Sequence, residues 1–177
     1  METLDTLFSR KVVRNYTGKP VSEKELKILL KAANSAPVGR AKYENLHLSV
    51  IRNTDLLNKI NEKVSLLFER PDIKALYGAP LFILVSAKTE NGKLDAIDYA
   101  NATAIIHNLA LAATDLGLGS CYIWGAVTAI TAAPDLEAEL QLPEGMSPCF
   151  GIVLGETEEE YSPREIPEER IATTYLT

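Results

Sequence analysis

The chain has 177 residues, 46% of them hydrophobic and 24% charged, with 10 Gly and 9 Pro. These proportions exclude a disordered, collagen-like or low-complexity chain and fit one globular domain, residues 1–177, able to bury a core without disulfides or a structural metal. A formal net charge of −6 argues against a general nucleic-acid binder, because displacing counterions from phosphates needs a positive field.

The N-terminal stretch METLDTLFSRKVVRNY carries charge within its first five residues and lacks the apolar core of a signal peptide. Residues 2–9 read as a short helix. Ser22 to Glu25 has the spacing of a capping box, and Leu26, Leu29, Leu30 and Ala33 follow on one face, so a helix is expected to end before Pro37. Leu46 to Arg52 reads as a strand, with His47 an ordinary strand residue. Asn53 or Thr54 then caps a helix whose apolar side carries Leu56, Leu57, Ile60, Val64, Leu67 and Phe68. The run LFILVSA, residues 81–87, is apolar on both faces and reads as a central strand. A loop is expected over 89–93.

From Asp95 to Leu116 a helix is apolar nearly all round, with small alanines suited to close packing at the centre of the fold or of an oligomer. Asn101, His107, Asn108 and Asp115 within it rule out a membrane span. Strands are expected over Ser120 to Trp124 and Cys149 to Leu154, with a modest helix carrying Leu136 and Leu140 between them. Cys121 and Cys149 lie in apolar runs without metal-ligand spacing, so they read as buried reduced thiols, in keeping with a cytoplasmic compartment. Ile171 to Leu176 reads as a terminal strand seeking a sheet edge, its own or a partner's. The acidic residues of the 156–160 run read as a solvated loop.

Phosphate-loop, dinucleotide-fold, nucleophile-elbow and zinc-protease motifs are absent from the sequence. Gly117-Leu118-Gly119 follows a helix and precedes a strand, the reverse of the order in a dinucleotide fingerprint. The remaining chemical signal is Arg10-Lys11-Val12-Val13-Arg14. On its own it is either a solvated surface or a clamp for phosphate, which guanidinium groups bind in bidentate fashion.

Five pieces in order resemble the FMN-dependent nitroreductases. They are Ser9 to Tyr16 (SRKVVRNY), Ala33 to Gly39 (ANSAPVG), Tyr77 to Pro80 before an apolar strand, Leu109 to Trp124 (LALAATDLGLGSCYIW), and Leu142 to Gly145 (LPEG) with Ile152 to Gly155 (IVLG). The resemblance implies an α+β fold: an α/β/α sandwich with a mainly antiparallel central sheet, forming an intertwined homodimer by C-terminal arm exchange. FMN would occupy a pocket at the interface, held by Arg10, Lys11 and Arg14, which would grip its phosphate and pyrimidine edge, and by Arg164. Pro37, Val38 and Gly39 would pack on the ring from the other subunit. Tyr122, Ile123, Trp124 and Gly125 would run past the ring, the Gly125 N–H facing flavin N5.

The implied activity is a ping-pong transfer from NADH or NADPH through flavin N5 to a small-molecule acceptor: a nitroaromatic, a quinone or an enone. No catalytic side chain, metal, nucleic acid or membrane is implied. Two departures from the family pattern stand out. Val12 replaces a serine and cannot donate to phosphate, and APVGRAKYEN replaces the usual APSGxNxQPW, with Arg40 or Lys42 as an electrostatic substitute. The alternative is a sensor or assembly protein of the same fold that binds flavin or another ligand without turnover. Trp124 is either pocket wall or core.

Overall fold

In a computed structural model, which describes residues 1–89 and 92–177, four strands form one antiparallel sheet in the order β1-β2-β4-β3. They are β1 (Leu46–Ile51), β2 (Leu81–Lys88), β3 (Leu118–Ile123) and β4 (Met146–Glu156). The helices are α1 (Thr3–Ser9), α2 (Glu23–Asn34), α3 (Thr54–Leu67), α4 (Ala96–Asp115), α5 (Gly125–Thr131) and α6 (Pro134–Glu139).

Alternation along β2 builds both cores. Leu81, Ile83 and Val85 pack with α2 and α4, whereas Phe82 and Leu84 pack with α3, α5 and α6, and all five side chains are fully buried. The sheet is therefore the middle layer of an α/β/α sandwich, the architecture that the resemblance implied. Helix starts follow the expected chemistry. Ser22 Oγ accepts the Glu25 N–H at 3.2 Å while the Glu25 carboxylate accepts the Ser22 N–H at 2.8 Å. Asn53 caps α3, and Asp95 with Asp98 forms a second reciprocal box at the start of α4.

Four expectations need correction. Leu67 and Phe68 are exposed, because α3 ends at Leu67 and Glu69 turns the chain away with φ 52°. Helix α5 was not anticipated: Trp124 leaves β3 and becomes the residue before a seven-residue helix. β3 begins at Leu118, directly after Gly117 at φ 74°, and β4 runs from Met146 to Glu156, longer than its apolar stretch, with a register shift opposite Val85 and Ser86 that accommodates Pro148. Ile171 to Leu176 forms no strand within the chain, and its apolar side chains are exposed. A strand needs a partner edge, and the tail meets none here. The loop expected over 89–93 lies partly outside the described residues.

Among the described residues, no helix is long and apolar enough to cross a membrane. Cys121 and Cys149 are buried free thiols; burial pushes both thiol pKa values up, that of Cys149 to about 12, leaving them inert.

Candidate functional site

The basic strip after α1 lies flat across the ends of β3 and β4. The Val13 N–H donates to the Ser120 carbonyl at 2.9 Å, and the Thr17 N–H donates to the Glu156 carbonyl at 3.0 Å. Close approach requires two glycines. A Cβ on Gly119 would stand 2.8 Å from Val13 Cγ1, and one on Gly155 would stand 2.6 Å from Pro80 Cδ and 3.0 Å from Tyr16 Cδ1. Val13 is fully buried, so it anchors the strip, and its neighbours carry the charges.

The cations take different surroundings. Arg164, in the C-terminal tail, donates from Nε to the Phe8 carbonyl at 3.1 Å and from Nη2 to the Arg10 carbonyl. The tail therefore returns to the end of α1 and brings the Arg164 guanidinium to the main chain there. Arg14 stacks over the Tyr77 ring at 5.6 Å, and Tyr77 and Cys121 beside it favour its charged form. Lys11 is committed elsewhere: its Nζ lies 2.6 Å from a Glu159 carboxylate oxygen and 5.7 Å from the Tyr161 ring centroid. The acidic run is thus not a free loop. Glu159 holds Lys11 and Glu156 holds Lys19 at 2.8 Å.

Beyond Arg10, β3 carries Tyr122, Ile123 and Trp124 toward the start of α5. Trp124 is 55% exposed and therefore not core. It meets Phe150 edge-on at 5.4 Å and Tyr99 at 5.7 Å, while Tyr122 meets Phe150 edge-on at 5.9 Å. An adjoining open cavity of 560 Å³ is lined in part by Tyr99, Trp124, Thr128 and Cys149. Gly125 is the first residue of α5, so its N–H precedes the i→i−4 ladder. Ile123 is buried and contributes backbone only.

The Pro37 to Gly39 segment is pinned to another flank of α4. The Gly39 N–H donates to Asn101 Oδ1 at 2.9 Å, and a Cβ on Gly39 would lie 3.1 Å from Ile97. Tyr99, which touches Trp124, stands two residues from Ile97 and Asn101, about 200° round the helix. One chain therefore holds Tyr122 and Trp124 against His107 and Tyr99 of α4, and Gly39 against another flank of the same helix. Arg40 and Ala41 follow in left-handed conformation, at φ 58° and 53°.

Several residues escaped the sequence reading. Asn101 and His107 were visible only as polar interruptions of an apolar helix. His107 Nδ1 lies 2.8 Å from the Tyr122 hydroxyl. Burial, followed by the positive charge of Arg10, holds the His107 imidazole below its usual range; burial raises the Tyr122 phenol against the opposing effect of Arg10. Tyr77 was visible only as the first residue of the Tyr77 to Pro80 piece, with no role attached to its ring.

These residues fit a flat, anionic cofactor such as FMN. The Arg164 guanidinium joins the basic strip at the Arg10 carbonyl, Arg14 lies on the same strip, and an exposed tryptophan and a helix N-terminal N–H follow along β3. Val12, apolar and 47% exposed, contributes no hydrogen bond from its side chain.

Comparison with known proteins agrees with this geometry. The sequence model described as "Nitroreductase family" matches residues 7–156. A Bacillus subtilis protein named "FMN reductase (NADPH)" is 24% identical over 168 residues, covering 86% of this chain and 65% of that protein. An FMN-bound nitroreductase structure from Desulfitobacterium hafniense superposes with TM-score 0.85 at 21% identity, covering 100% of this chain and 99% of the other. A second, also with bound FMN, from Bacteroides fragilis, gives 0.81 at 25% identity over 99% and 100% of the two chains.

Proposed function

The chain belongs to the nitroreductase family, and from that premise we propose that it is an FMN-dependent oxidoreductase acting as a homodimer. Bound FMN would take reducing equivalents from NADH or NADPH and pass them to a small electron-poor acceptor, such as a nitroaromatic, quinone or enone, in a ping-pong exchange at one place.

The observation that carries this reading is the return of the tail, which brings the Arg164 guanidinium to the Arg10 carbonyl and adds a cation to the basic strip in a chain of net charge −6. Arg10 and Arg164 hold the phosphate, and Arg14, aligned by Tyr77, faces the pyrimidine edge, where positive charge favours the reduced cofactor. Lys11 serves chiefly through its pair with Glu159, which ties the tail to the strip. Trp124 and Phe150 wall the ring site and exclude water, and the Gly125 N–H is the donor toward N5.

Pro37, Val38 and Gly39 close the site from a second copy, because their own chain holds them on another flank of α4. Exposed Leu4, Phe8, Ile97, Tyr175 and Leu176 supply apolar surface for that dimer, with the tail exchanged between copies.

The test is the visible spectrum of the purified protein, release and identification of any flavin by heat, and anaerobic addition of NADH and NADPH in turn. Bound FMN bleached by one donor within a turnover time is the expected result. FMN that stays oxidised with both donors favours a binding protein without turnover, and a protein left colourless after reconstitution refutes the assignment.

A further inference from the structure

The cavity beside Trp124 has no part in the function described so far. Its volume of 560 Å³ lies within the range of about 300–1,000 Å³ typical of small-molecule sites. Tyr99 of α4 and Trp124 supply aromatic wall, and Val127 of α5 and Pro148 of β4 supply aliphatic wall. The indole is 55% exposed, and the Tyr99 ring is tilted 34° against it at 5.7 Å, so the two rings offer surface to a flat guest.

The polar groups of the lining are unequal. Thr128 and Thr131 donate back to the Trp124 carbonyl at 3.4 Å and the Val127 carbonyl at 3.0 Å, and burial keeps the Cys149 thiol neutral. Glu137 is the one charged residue of the lining, and it is half-buried. On the same short helix, Asp135 pairs with Lys63 at 3.1 Å and Glu139 with Lys59 at 2.8 Å. α6 thus gives two carboxylates to the lysines of α3, and its third, which forms no ion pair among the described residues, faces the cavity. An anion between aromatic faces favours a flat guest that carries positive charge, because ring faces and carboxylate both attract a cation.

We infer that this cavity is a recognition subsite for the acceptor and takes an aromatic ring bearing an ammonium or other cationic group; calling the guest the acceptor rests on the FMN reading above. The ring lies against Trp124 and Tyr99, and the cation meets Glu137. An anionic analogue of the same shape is repelled by that carboxylate. Trp124 borders both the cavity and the proposed ring site, so the guest would sit beside the cofactor.

Three probes of one shape separate charge from fit: para-nitrobenzylamine, a cation at neutral pH, para-nitrobenzyl alcohol and para-nitrobenzoate. Oxidised, FMN-loaded protein cannot reduce them without a donor, so calorimetric titration reads binding alone. The amine should bind at least roughly tenfold more tightly than the benzoate, as expected for a hydrogen bond to a charged group. Glu137→Gln should remove most of that preference, and Thr128→Lys, which puts a cation in the cavity, should reverse it. Glu62→Gln, at an exposed carboxylate on α3, should leave the preference at its wild-type value. Turnover should follow the same order in kcat/KM, each two-electron step consuming one NAD(P)H and one proton and converting nitro to nitroso and water. A preference unchanged by Glu137→Gln, an equal loss in Glu62→Gln, or no binding of the amine overturns the proposal. A protein left colourless after FMN reconstitution overturns the proposed function instead; quenching of Trp124 emission by the same probes then reads the cavity, with the same variants deciding.

Discussion

The strip that carries Arg10 and Arg14 depends on the absence of a side chain at Gly119, and Gly119→Ala tests that dependence. The new Cβ would stand 2.8 Å from Val13 Cγ1, 3.0 Å from Tyr16 Cε1 and 3.2 Å from Val13 Cβ. Val13 is fully buried and hydrogen-bonded through its N–H to Ser120, so it cannot swing into solvent. Overpacking of this kind costs about 1–3 kcal/mol, with a few tenths offset by the lower chain entropy of alanine in the unfolded state. A loss of about 2 kcal/mol lowers Tm by about 4–8 °C for a chain of this size. Val13→Ala alone removes two buried methyl groups and costs about 2 kcal/mol through lost transfer energy and the void left behind. In the double variant the methyl introduced at position 119 fills that void, so the two losses should fall short of their sum by at least about 1 kcal/mol. Urea denaturation of the four proteins gives the cycle, and FMN titration should show Gly119→Ala weakened and the double variant partly restored. Additivity within about 0.5 kcal/mol would show that the strip does not rest on Gly119 and refute the reasoning.

Replacing Arg10 and Arg14 together by alanine should reduce FMN affinity at least roughly tenfold, since charge-assisted hydrogen bonds to phosphate are lost; undiminished occupancy on purification would sink the clamp. Trp124 is the only tryptophan, so its emission should be quenched as FMN is added to apoprotein, and unchanged emission would place the ring elsewhere. Asn101→Ala leaves the half-buried Gly39 N–H unpaired and should cost about 1–2 kcal/mol in urea denaturation, with a larger rise in KM for the acceptor than for Asn108→Ala. Burial and Glu159 push the Tyr161 phenol up to about 12 while its hydroxyl donates to the Leu118 carbonyl. Its contribution to stability is therefore complete below the ordinary tyrosine range near pH 10 and lost as pH rises toward 12, and Tyr161→Phe should flatten that decline in alkaline denaturation curves.

Periodicity made most of the fold legible. The continuous apolar run of β2 announced a strand covered on both sides, and the capping box at Ser22 located α2 to the residue. Helix α5 stayed hidden because it is seven residues long and follows β3 without a break, so Trp124 read as the end of a strand. Pro148 and Ser147 concealed the start of β4 for a related reason: the bulge that admits proline has no apolar signature. The cations of the site were visible as residue types, but their division of labour was not. Nothing in the order Arg10, Lys11, Val12 indicates that Lys11 pairs with Glu159 while Arg10 receives Arg164, a residue 154 positions away.

The helix that the sequence marked as central explains why the proposed site needs two copies. α4 is apolar nearly all round, yet its few polar residues fall on separate flanks: Asn101 holds the Gly39 segment, Asn108 donates to the Ala32 carbonyl at 3.1 Å, and His107 meets Tyr122. Asn101 and Asn108 stand seven residues apart, nearly in line, and fasten α2 and the loop after it; His107 lies about 100° from Asn108 and faces β3. If both segments belong to one flavin site, as proposed, a rigid helix that holds them on different flanks keeps them apart within one chain. In the proposed dimer, a second copy packed against the exposed apolar residues of α1 and α4 would present its own Pro37 to Gly39 segment to the first copy's Trp124. Under that proposal dimerisation is a condition of cofactor binding: dilution that separates the copies should release FMN in step with dissociation, and monomers that keep their flavin would show that one chain suffices.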